Sequence, residues 1–88
     1  MSIDFEAALE ESIAAVRPQI LAIEAIQSQF YGSKIVRRTN KNLIVRFGTR
    51  GQATQFGGTC QFDGWSVQIS KGLNSTQYYA LVYFNYPY

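Results

Sequence analysis

The chain has 88 residues, enough for one domain with a small core; 47% of them are hydrophobic, 15% aromatic and 16% charged, a composition that excludes extended disorder. It has no histidine and a single cysteine, Cys60, so an internal disulfide and the usual zinc ligand sets are excluded and no metal or cofactor is expected. The net charge of +2 hides a split: residues 1–30 carry −4 (Asp4, Glu6, Glu10, Glu11 and Glu24 against Arg17), and residues 31–88 carry +6 (Lys34, Arg37, Arg38, Lys41, Arg46, Arg50 and Lys71 against Asp63).

The opening MSIDFEAALEES has neither a basic cluster nor an apolar run, which argues against a secretory signal or a transit peptide and predicts a cytoplasmic chain. The longest apolar run, Ala80 to Phe84, is too short for a bilayer, so no membrane partner is expected. From Phe5 onward apolar residues recur at Phe5, Leu9, Ile13, Val16, Ile20, Ile23 and Phe30, with Gln27 in the matching slot, which predicts a helix from residue 4 to about 30. Ser2 or Asp4 can cap it, and Gly32 supplies the stop. Pro18 falls inside it, and because the stripe keeps phase, one kinked helix is favoured over two separate ones. Such a helix would span ~39 Å against ~20 Å for a six-residue strand, so either Pro18 folds its halves back on the sheet or one half finds cover on another chain.

After Gly32 the period changes to two. KIVRRT and LIVRFG around NKN predict a hairpin, and TCQF and WSVQIS around Asp63-Gly64 predict a second, in which Phe62 faces Trp65 and Cys60 faces Val67. GTRGQATQFGG between them, with four glycines, reads as a long turn or an irregular strand; its GTRG, with Arg50, is a weak phosphate-cradle signal. In the terminal YYALVYFNYPY, Tyr78, Ala80, Val82, Phe84 and Tyr86 point one way and Tyr79, Leu81, Tyr83 and Asn85 the other. The expected fold is α+β: a single domain over 1–88, with a long, Pro-kinked helix in 1–31 packed on a four- to five-stranded antiparallel meander sheet in 32–88.

The parts of an enzyme are missing from this pattern. Glu10 and Glu11 are adjacent, pointing about 100° apart on a helix, Asp63 is used by its turn, and Cys60 falls at a core position, so no catalytic residue is assigned. The chemistry that remains lies on the sheet face turned away from the core. It should carry Arg46 together with either Arg37 or Lys34 and Arg38, depending on whether the first hairpin loop has two or three residues, and also Tyr79, Leu81 and Tyr83. Leaving those three side chains in water forgoes ~1.5–3 kcal/mol apiece relative to burial. The first expectation is therefore a non-enzymatic protein-interaction module, self-associating or docking on a larger assembly, with Tyr79, Leu81, Tyr83, Tyr86 and Arg46 in the interface and an unpaired terminal strand as a further edge. The alternative is a single-stranded nucleic-acid binder, in which Lys34, Arg37, Arg38, Arg46 and Arg50 engage phosphates and bases stack on Tyr79 or Tyr83. Cover from the first helix, sent round to that face by Pro18, would remove the need for either.

Overall fold

The computed structural model describes residues 16–73 and 76–85. Ser2, Asp4, Phe5, Glu6, Leu9, Glu10, Glu11, Ile13 and Tyr86 lie outside the described residues, as does the half of the expected helix before residue 16, and with it the expected kink. The first helix, α1, is described over 16–27 and follows the expected stripe: Val16 and Ile23 are buried, and Ile20, Ile26 and Phe30 pack against the same core. Gln27, in an apolar slot, earns its place by closing the turn that follows: its Nε2 donates to the carbonyl and hydroxyl oxygens of Ser33 at 3.1 and 2.9 Å. Gly32, at φ 82°, turns the chain out of the helix in a conformation that only glycine adopts without strain.

Four strands follow, β1 (Lys34–Arg38), β2 (Asn42–Phe47), β3 (Ser66–Lys71) and β4 (Tyr78–Tyr83), with a second helix, α2 (Arg50–Phe62), between β2 and β3. The residues from 32 onward are thus not all sheet, and the sheet is not a meander: all pairings are antiparallel, but the order is β1-β2-β4-β3. Helix α2 carries the chain across to the far edge, and β4 returns between β2 and β3. The terminal strand is therefore paired on both sides and offers no free edge, contrary to expectation; the edges are β1 and β3.

The expected hairpin about Asp63-Gly64 is replaced by the end of α2. Asp-Gly suits a primed hairpin turn, but glycine at positive φ is also the commonest helix stop. Gly64 has φ 103°; its N–H donates to the Gln61 carbonyl at 3.0 Å and that of Trp65 to the Cys60 carbonyl at 3.0 Å, which together make a Schellman stop. At the other end Thr49 caps α2, its hydroxyl oxygen accepting from the Gln52 N–H at 3.2 Å. Ala53, Phe56, Gly57 and Cys60, at helical spacing, form the buried face. GTRG is accordingly a cap and first turn, and the strand pairs Phe62–Trp65 and Cys60–Val67 do not exist. Cys60 reaches the core from a helix, whereas Phe62 is 90% exposed.

Both helices lie on one face of the sheet. Leu43, Val45 and Phe47 of β2, with Ala80, Val82 and Phe84 in and after β4, are buried beneath them in a single cluster. Phe30 meets Phe47 and Phe56 edge to face, with ring centroids 5.8 and 5.7 Å apart, and so locks the end of α1, β2 and α2 together. Gly57 lets α2 approach β3 closely, since a Cβ there would lie 3.1 Å from side-chain carbons of both Val67 and Ile69. Beyond β4, the Gln19 side chain takes over as a backbone partner: its Oε1 accepts from the Asn85 N–H and from Trp65 Nε1, each at 2.8 Å.

Candidate functional site

The sheet face opposite the helices is built by the alternation of β2 and β4. Because Leu43, Val45 and Phe47 point inward, Asn42, Ile44 and Arg46 point outward; because Ala80 and Val82 point inward, Tyr79, Leu81 and Tyr83 point outward, as expected. Register then sets them in rows. Lys34, Arg46, Tyr79 and Ser70 form one row across the four strands, and Arg37, Ile44, Leu81 and Gln68 the next; Asn42, Tyr83 and Ser66 form a third on the last three strands. The Tyr83 hydroxyl donates to Gln68 Oε1 at 3.2 Å, which holds that ring over the β3 side. Ile44, Arg46, Tyr79, Leu81 and Tyr83 are all partly exposed, and among the described residues neither helix crosses this face.

The two loop registers weighed from the sequence each describe half of β1. Next to the turn, Arg38 pairs with Leu43 and Arg37 with Ile44, as a two-residue loop requires. Thr39 holds that turn, its hydroxyl oxygen accepting from the N–H groups of Lys41 and Asn42 at 3.1 and 2.9 Å. The pairing then shifts at a bulge around Val36, so that Ile35 faces Val45 and Lys34 faces Arg46. The bulge turns Arg37 and Lys34 to the same face while keeping Ile35 against the core. Arg38 is separated from this group: it lies on the helix side and pairs with Glu24 of α1. Arg50, in the first turn of α2, is also on the helix side, next to Ile69 and Tyr78. Of the residues weighed for nucleic acid, then, Lys34, Arg37, Arg46, Tyr79 and Tyr83 come together and Arg38 and Arg50 do not. Ile44, not singled out in the sequence, completes the centre of the face; its position between inward Leu43 and Val45 was the signal for it.

The electrostatics of the face are one-signed. The described residues hold Arg17, Lys34, Arg37, Arg38, Lys41, Arg46, Arg50 and Lys71 against Glu24 and Asp63, eight cations less two acids, or +6. Glu24 is engaged by Arg38 and Asp63 ends α2, so no acid of the described residues stands among the outward rows. A face of this composition can stack flat groups on its phenol rings, bury aliphatic surface on Ile44 and Leu81, and direct three cations at an anionic or ring-bearing partner. Cys60 lies on the other side, fully buried, with its thiol pushed up to about 12 by loss of solvent and, secondarily, by the Asp63 carboxylate. Among the described residues no helix is long and apolar enough to cross a membrane. No family model, curated protein or solved structure matches the chain.

Proposed function

We propose that this protein is a small cytoplasmic interaction module without enzymatic activity, which self-associates through the outer face of its sheet and by that means docks on a larger protein assembly. One observation supports this above the others: Ile44, Leu81, Tyr79 and Tyr83 sit side by side at the centre of a sheet face whose opposite side holds both helices. Contiguous apolar surface rimmed by polar residues marks interaction sites on small domains, and these four side chains are partly exposed. The charge pattern selects a geometry. A two-fold axis running between two stacked sheets, parallel to β2 and β4, lays Arg46 of each copy over Tyr79 of the other, Ile44 over Leu81, and Lys34 and Arg37 over the uncharged Ser70 and Gln68; an axis across the strands would set cation against cation. Sedimentation across protein concentration tests the reading. A dimer that Tyr83→Glu splits, with the far-ultraviolet circular dichroism of the folded chain kept, is the expected result; a monomer at every concentration contradicts self-association.

A second reading, single-stranded nucleic acid, is favoured by one feature: cations and tyrosines share a face with no acid among the described residues. On it, bases stack on Tyr79 or Tyr83 while Lys34, Arg37 and Arg46 neutralise phosphates. Fluorescence titration with a labelled oligonucleotide decides it. Binding that weakens steeply with salt and falls on Arg46→Ala supports this reading, and no binding at low salt removes it.

A further inference from the structure

On the helix side of the sheet, α2 and the β3–β4 pair leave a groove of about 490 Å3 between them, lined by Arg50, Thr54, Ile69, Lys71 and Tyr78. Arg50 and Thr54 lie one turn apart on α2, while Lys71 and Tyr78 are directly paired at the ends of their strands. Two cations thus share one concavity. Neither they nor the hydroxyls of Thr54 and Tyr78 make a hydrogen bond or ion pair with any described residue. The two described acids are elsewhere, Glu24 on Arg38 and Asp63 at the far end of α2.

The arrangement runs against two local preferences at once. The first turn of a helix favours acids, yet the first turn of α2 contains none and begins with Arg50. Like charges facing one groove repel, yet Lys71 stands across from it. Among the described residues nothing offsets either departure, and a site that breaks local rules in this way is where a ligand is expected to do so. We propose that this groove binds a dianionic phosphate monoester carried on a small organic group. The Arg50 guanidinium offers a planar fork to two phosphate oxygens, Lys71 a point charge, and Thr54 and Tyr78 hydroxyl donors. The volume falls within the range of small-molecule sites and exceeds what a phosphate alone fills; Ile69 and the Tyr78 ring give the remainder an apolar wall for the organic group.

The site is independent of the outer sheet face, and its test is kept separate from that of self-association. The full chain is titrated with inorganic phosphate and with a nucleoside 5′-monophosphate at constant ionic strength, while amide chemical shifts are followed. Saturable shifts confined to residues 50–54, 69–71 and 78 are expected, with a dissociation constant of ~1 mM or tighter for the nucleotide and weaker binding of phosphate. Arg50→Gln and Lys71→Gln should each weaken binding about tenfold or more. Both variants should keep the melting point, and Tyr83→Glu should leave the titration unchanged. Shifts that do not saturate, that survive the Arg50→Gln/Lys71→Gln double variant, or that chloride reproduces would overturn the assignment.

Discussion

At the scale of single residues, the core depends on one aromatic contact more than on any ion pair. The rings of Phe47 and Phe56 lie 5.1 Å apart at their centroids and Phe30 closes on both, so that three elements meet at one point. Removing a buried phenyl group costs about 3–5 kcal/mol, most of what a domain of this size has to lose. Phe56→Ala should therefore abolish the cooperative transition in a urea melt at room temperature. Glu24→Gln should do far less, since the Arg38–Glu24 pair is solvent-exposed and such pairs contribute about 1 kcal/mol or less. Cys60 gives a pH signature. Its thiol moves from 9.0 in the ordinary case to about 12 when folded, because the thiolate would be buried. The folded state keeps a proton that the unfolded chain releases above about pH 9, so stability holds below that point and falls as pH rises toward about 12, by at most about 1.4 kcal/mol per unit. Denaturant melts on either side of about pH 9 should show a smaller loss for Cys60→Ala than for the natural chain; equal losses would mean that Cys60 does not contribute.

At the scale of elements, α2 is where sequence and structure part. The alternation of β2 and β4 and the stripe of α1 were legible because each repeats one period over five residues or more. In 50–62 the apolar period is carried by Ala53, Phe56, Gly57 and Cys60, two of them small and one a glycine, so that helical spacing is weak beside the glycines and the Asp63-Gly64 pair. The legible signals were the cap residue Thr49 with Gln52 three positions on, and the spacing itself. The two adjacent glycines of this helix separate packing from propensity. At exposed Gly58 nothing lies within 4 Å of an added Cβ, and Gly58→Ala should raise stability by about 0.5–1 kcal/mol. Gly57→Ala would press a methyl group to 3.1 Å from Val67 and Ile69 and should fall below Gly58→Ala in a thermal melt by about 1 kcal/mol or more.

At the scale of the whole molecule, charge and apolar area are distributed by face. The tyrosines and leucine on the outward side of β4 could be read from alternation alone, because Val82 and Phe84 claim the core side and every second residue then faces out, although the pairing of β4 on both sides was not legible. The cations beside them could be read only in part: the bulge at Val36, which brings Lys34 and Arg37 to one face and leaves Arg38 to Glu24, has no counterpart in the hydrophobic pattern. Among the described residues, both helices cover the core on one side of the sheet and the other side presents Ile44, Leu81, Tyr79 and Tyr83 among two arginines and a lysine. Hydroxyl-radical footprinting of these side chains at about 5 μM and about 500 μM chain measures directly whether a second copy covers them, because association is set by mass action. Tyr79, Leu81 and Tyr83 should lose reactivity at the higher concentration while exposed Phe62, on the helix side, should not. Equal reactivity of all four at both concentrations would contradict self-association through this face.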